Sequence, residues 1–216
     1  MMNLALEEDD AWDTITDMFV FDDMVVIRVD NGTFKFFPIP LVAGTYSDEV
    51  PLDTAGSSTG MTFSNYDEIL AYGMHENTDD IGEYVYEFFA VLETELVKVL
   101  YQHDVYESKI TQVATSKALT SSEDQFKGTQ IRAAVSKNDF LVSCSDCAIP
   151  SVKFFDHELD LIHTMDVEYS KFYAYELAVH DQHDLMSLQT YIAGYDSIRV
   201  MLQVTDMKGK NWFKED

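Results

Sequence analysis

Two pairs of residues in this chain have a spacing that chemistry uses. Cys144-Ser145-Asp146-Cys147 sets two thiols three residues apart, as in redox dithiols and in half of a zinc site. No second cysteine pair exists, and the segment reads as strand or turn, without the helix start that would activate a thiol, so a structural role is expected. His180-x-x-His183, flanked by Asp181 and Asp184, would put two imidazoles on one helix face, but no third ligand accompanies them and no metal is expected. A phosphate-cradling glycine loop, a G-x-S-x-G elbow and an H-E-x-x-H helix are all missing. With 39 carboxylates, neighbours such as Asp9-Asp10, Asp22-Asp23 and Asp79-Asp80 arise by chance and do not identify acid/base catalysis. The expectation is therefore a binding protein: no enzyme, no catalytic residue and no cofactor.

Charge says what such a protein would bind. Against those 39 acids stand 14 Lys and Arg, a formal charge of -25 that repels phosphate backbones over most of the surface. The imbalance is concentrated: residues 1–108 carry 23 acids against Arg28, Lys35 and Lys98, while residues 109–216 carry 16 against 11. A basic partner would feel the amino-terminal half first. With 46% hydrophobic residues, 14 Phe and 12 Tyr, the chain is too aromatic for a disordered acidic tail and long enough to build a core without staples. Two cysteines fit a reducing cytosol, no apolar run approaches the roughly 20 residues of a membrane span, and the acidic start is unlike a signal peptide, so a cytoplasmic protein is expected.

The elements that would position these residues read as short helices among strands. Trp12, Ile15 and Phe19 lie at i, i+3 and i+7; Asn65 and Glu68 open a second helical pattern through Ile69 and Leu70 to Gly73; Ile110, Val113 and Ala114 suggest a third; Leu185, Leu188 and Ile192, ending at Gly194, a fourth. Period two marks strands at Tyr173 to Val179 and at Ile198 to Val204. Val25 to Val29 and Phe34 to Phe37, joined by Asp30-Asn31-Gly32, predict a β-hairpin. Tyr84, Tyr86, Phe88 and Phe89 predict a strand packed on both faces, and Asp53 to Gly60 and Thr120 to Gly128 read as polar connections.

The two halves repeat an order of elements. Helix 11–19, Val26-Ile27-Arg28-Val29, a turn and Phe34-Lys35-Phe36-Phe37 correspond to helix 110–118, Gln130-Ile131-Arg132-Ala133, a turn and Phe140-Leu141-Val142-Ser143. Each half then runs an aromatic strand into a short helix. This order, with Tyr-Asp-Ser-Ile-Arg-Val-Met-Leu at 195–202 after the last helix, resembles the DNA sliding clamps, the processivity factors of T4-like phages and of eukaryotic nuclei. The resemblance implies an α+β fold of two similar domains, 1–108 and 109–216, each a pair of β-α-β-β-β units. It also implies a homotrimeric ring encircling double-stranded DNA and docking a DNA polymerase or other replication proteins. Lys109, Lys117 and Lys127 become the DNA-facing candidates, because they surround the helix that opens the second half. The composition would suit a phage protein.

Trp212 and Phe213, beside charges near the end of the chain, either tuck into the core or stand exposed, and are the partner-docking candidates. The competing function is an acidic DNA mimic or inhibitor that covers a basic nucleic-acid-binding surface with the carboxylates of residues 1–108.

Overall fold

A computed structural model of the chain describes residues 3–5, 15–29, 34–39, 46–50, 52–53, 69–78, 84–104, 109–121, 125–166, 173–180, 185–193, 198–206 and 211–215. Among them the regular structure is all strand. In chain order the first ten are β1 (Asn3–Ala5), β2 (Ile15–Val20), β3 (Met24–Val29), β4 (Phe34–Pro38), β5 (Tyr46–Asp48), β6 (Leu52–Asp53), β7 (Ala71–Thr78), β8 (Tyr84–Val91), β9 (Glu95–Asp104) and β10 (Lys109–Ala118). The rest are β11 (Ile131–Val135), β12 (Asp139–Cys144), β13 (Ser151–Asp156), β14 (Leu161–Asp166), β15 (Tyr173–His180), β16 (Leu185–Ala193), β17 (Ile198–Asp206) and β18 (Asn211–Glu215).

This overturns the α+β expectation and, with it, the clamp-like β-α-β-β-β units. None of the four predicted helices forms where it is described: the strands β2, β7, β10 and β16 stand in their place, with Ile69 and Leu70 irregular just before β7. The reason is geometric. Residues four apart share a face in a helix and also in a strand, and Ile110 with Ala114 is such a pair, both buried on β10 while Val113 is exposed. The β-branched content of Ile110, Thr111, Val113 and Thr115 then favours the extended form. Gly73, read as a helix stop, instead lies inside β7, where a Cβ would meet the Val135 side chain at 2.7 Å. Trp12, Asn65 and Glu68, the Asp30-Asn31-Gly32 turn, residues 54–60, and His183 with Asp181 and Asp184 lie outside the described residues.

The chain divides into two compact units. The first comprises Met1–Tyr66, Glu76–Glu87 and Val99–Ala114; the second comprises Asp67–His75, Phe88–Lys98 and Thr115–Asp216. In the first, β2, β3 and β4 form an antiparallel sheet in that order, with Val25 opposite Phe37 and Ile27 opposite Lys35, as the hairpin pattern predicts. Alternation gives this sheet two apolar faces. Val25, Ile27, Val29 and Phe37 form a hydrophobic cluster on one. Phe34 and Phe36 point the other way, and their rings lie 5.9 and 5.0 Å from that of Tyr101 on β9. The Val50 N–H donates to Phe36 O at 2.8 Å and extends the sheet by one bridge.

The second unit is layered. β11 to β14 form a four-stranded antiparallel sheet in chain order, and β15 to β18 form another. A further sheet, β7, β8, β9 and β10 in chain order with β6 added in parallel beside β10, has residues in both units, and its Phe88–Lys98 stretch belongs to this one. Phe140, Val142 and Phe155 on one face of β12 and β13 pack against Phe89, Val91 and Leu96. Leu141, Val152 and Phe154 on the opposite face pack against Leu177, Met186 and Leu188. Packing on both sides leaves 139–144 and 151–156 buried at nearly every position, without the alternation of a half-exposed strand. The expected aromatic strand at Tyr84 to Phe89 is β8, in which Tyr86, Phe88 and Phe89 are fully buried. No helix of the described residues is long and apolar enough to cross a membrane.

Candidate functional site

Titratable groups with shifted protonation gather at one place in the first unit. The β2–β3 turn, closed by the Phe21 N–H on Met24 O at 2.8 Å, presents Asp22 and Asp23. The Asp22 N–H donates to Oε2 of Glu76 on β7 at 3.3 Å, and the Tyr86 hydroxyl from β8 donates to Asp23 Oδ1 at 2.8 Å. Burial, opposed by the Asp22 N–H and reinforced by the Asp23 and Asp22 carboxylates, holds the Glu76 carboxyl above its usual pKa. Its Oε1 is enclosed with no hydrogen-bond partner. On β9, burial lowers the His103 pKa, although Asp23 and Asp104 pull it back in part, and His103 Nδ1 is likewise enclosed without a partner.

Burial thus disfavours the charged form of both Glu76 and His103 relative to their free states. Among the described residues no group of three or more His, Cys, Asp or Glu is placed to hold a metal ion. What three close carboxyls can do is receive a cation: an ammonium or guanidinium beside Glu76 would relieve the repulsion from Asp22 and Asp23. Sequence gave no signal for this site, because the turn and Glu76 are 54 residues apart.

The amino-terminal half also uses its few cations internally. Lys35 pairs with Glu49 at 3.3 Å. Lys98, only 7% exposed, donates to His157 O at 2.7 Å, lies 3.6 Å from the Glu158 carboxylate and stands 6.0 Å from the centre of the Phe89 ring. Neither lysine is left to offset the outward negative field.

The predicted DNA-facing lysines surround no helix. Lys109 opens β10 and is half-buried; Lys117, near the end of the same strand, bonds the Asp160 carboxylate; Lys127 is exposed just after Phe126. Trp212 and Phe213 lie in β18, where the backbone of Phe213 is opposite Val204. Cys144 and Cys147, for which a structural role is expected, are joined in a disulfide. Beside it, Asp146 accepts hydrogen bonds from Thr129 N–H and Oγ1–H at 2.8 Å and from Gln130 N–H at 3.0 Å. Gly128 makes room for this, since a Cβ there would strike the Asp146 carboxylate and the Cys144 sulfur. His180 ends β15 opposite Leu185.

No protein-family model matches the chain, and no curated protein is similar to it in sequence. Among solved structures, one chain of "Crystal Structure of Mitotic Checkpoint Complex" is similar to it at 10% identity and a TM-score of 0.35. The alignment takes in 94% of this chain but only 56% of the other. A likeness at that level identifies no family and carries no functional argument.

Proposed function

We propose that this chain is a non-enzymatic binding protein whose acidic amino-terminal half docks a cationic surface of a partner protein. The observation that carries the reading is the combination of 23 acids against three bases in residues 1–108 with the internal use of Lys35 and Lys98. Acid in excess at that density steers basic partners toward the surface and discriminates against nucleic acid itself. The Asp22, Asp23 and Glu76 cluster supplies a local point of attachment, because among the described residues no lysine or arginine pairs with it. A basic nucleic-acid-binding protein is the natural class of partner. Encirclement of DNA drew on helices that the described residues do not contain, and no feature of the structure favours it.

The test is fluorescence anisotropy with a labelled oligolysine peptide and, in parallel, a labelled DNA duplex. Saturable binding of the peptide that weakens with salt, with no retention of duplex, is expected. The Asp22→Asn, Asp23→Asn, Glu76→Gln variant should bind the peptide several-fold more weakly. Duplex binding without peptide binding would overturn the proposal.

A further inference from the structure

β2 is the terminal strand of its sheet, and among the described residues it pairs only with β3. A bulge between Ile15 and Asp17 shifts its register, so that Ile15 is opposite Val29, Met18 opposite Ile27 and Val20 opposite Val25. Cross-strand partners share a face. Ile15, Met18 and Val20 therefore continue the face that holds Val25, Ile27, Val29 and Phe37. Those four are between 0 and 6% exposed, whereas Ile15 is 47%, Met18 58% and Val20 62% exposed. The apolar face thus runs out of the core onto an edge strand and stays open there.

Exposed apolar edges are sites of strand addition, because the incoming backbone gains a ladder of hydrogen bonds while alternate side chains cover the apolar strip. The charge around this edge selects the occupant. Asp17 lies on β2 itself, Asp22 and Asp23 stand in the turn that ends it, and residues 15–23 contain no Lys or Arg. A second copy would bring the same acids edge to edge and be repelled. We infer that the β2 edge accepts an extended partner segment in which apolar and basic residues alternate, by strand addition. The apolar side chains of that segment extend the face of Ile15, Met18 and Val20, and the basic ones emerge on the opposite face, the side of Asp17, with the last of them near the Asp22-Asp23 turn. This rests on the proposal that the acidic half docks a basic partner, and it names the strand that does the docking.

The experiment uses the full chain and three labelled peptides of equal charge: alternating Lys-Val, the same composition with Lys and Val in separate blocks, and the alternating peptide N-methylated at every second residue. The alternating peptide should bind at least about tenfold more tightly than the other two. Met18→Thr with Val20→Thr, which leaves charge unchanged, should remove that preference while binding of oligolysine persists. Bound alternating peptide should slow amide exchange in β2. Equal binding of the three peptides, or a preference that survives Met18→Thr/Val20→Thr, would overturn the edge assignment while leaving the acidic reading intact. Absence of oligolysine binding as well would remove the acidic reading on which it rests. Concentration-dependent dimers in light scattering that vanish in Met18→Thr/Val20→Thr would assign the edge to a second copy and equally overturn the inference.

Discussion

Gly73→Ala tests the layering of the second unit with one methyl group. The added Cβ would stand 2.7 Å from Val135 Cγ2, 3.6 Å from Val135 N and 3.7 Å from Val135 Cβ, so the conflict lies with a single methyl. Inserting a methyl group into a filled site costs about 1–3 kcal/mol. Against that, replacing glycine restricts the unfolded chain and returns about 0.4–1 kcal/mol. The net expectation is a loss of about 1–2 kcal/mol. Val135→Ala removes the obstructing methyl from a half-buried side chain and on its own should cost about 1 kcal/mol. In that background the conflict is gone, and Gly73→Ala should then stabilise by the unfolded-chain contribution alone. The effect of one substitution changes sign with the presence of the other, a coupling of about 2 kcal/mol. Urea denaturation of the four proteins followed by circular dichroism measures it. If Gly73→Ala costs the same with valine or alanine at 135, the close approach of β7 to β11 is wrong and the reasoning fails.

Three further outcomes follow from groups already described. Because burial and the neighbouring Asp23 and Asp22 raise the Glu76 pKa, its contribution to stability is greatest below the unfolded-state value and declines as pH rises through the folded-state one. Glu76→Gln should therefore stabilise the chain at pH 7 by roughly 0.5–1 kcal/mol, a figure reduced for solvent screening, and an unchanged pH profile of the melting temperature would contradict the cluster. Asp146 shifts the other way: burial opposes ionisation, but the Thr129 and Gln130 donors outweigh it and lower the pKa, so its contribution is present above the unfolded-state value and is lost as pH falls through the folded one. Asp146→Ala should cost about 1 kcal/mol at pH 7 and little in strong acid; an equal cost at both would refute the turn. Phe140 is fully buried with its ring 5.1 Å from that of Phe89, and Phe140→Ala should cost about 3–5 kcal/mol in chemical denaturation, whereas a loss below about 1 kcal/mol would contradict that packing.

Period two was legible wherever a strand keeps its alternation. β15 and β17 follow from that pattern, the β3–β4 hairpin from its two apolar runs around Asn-Gly, and β11 with β12 from the repeated order of elements. It was misleading where a strand breaks alternation or offers residues four apart. In β2, Ile15 and Phe19, read as one helical face, stand on opposite faces of the sheet, opposite Val29 and Val26, because a bulge lies between them. In β16, Leu185 and Leu188, read as one helical face, fall on opposite faces of the strand. The acidic bias of the amino-terminal half was plain from composition. The meeting of Glu76 with Asp22 and Asp23 was not, since it depends on how separate strands are ordered and on no local spacing.

The middle layer, β11 to β14, carries a further consequence. Its two apolar faces are each completed by a different neighbour, Phe89, Val91 and Leu96 on one and Leu177, Met186 and Leu188 on the other. A fragment cut after residue 166 would leave Leu141, Val152 and Phe154 wet, and one beginning at residue 125 would do the same to Phe140, Val142 and Phe155. Either piece would display several core side chains to its own copies and would tend to precipitate. The smallest workable unit for cloning is thus set by the layers on either side of this sheet. Dissection of the molecule has to proceed by point substitution, with the chain left whole.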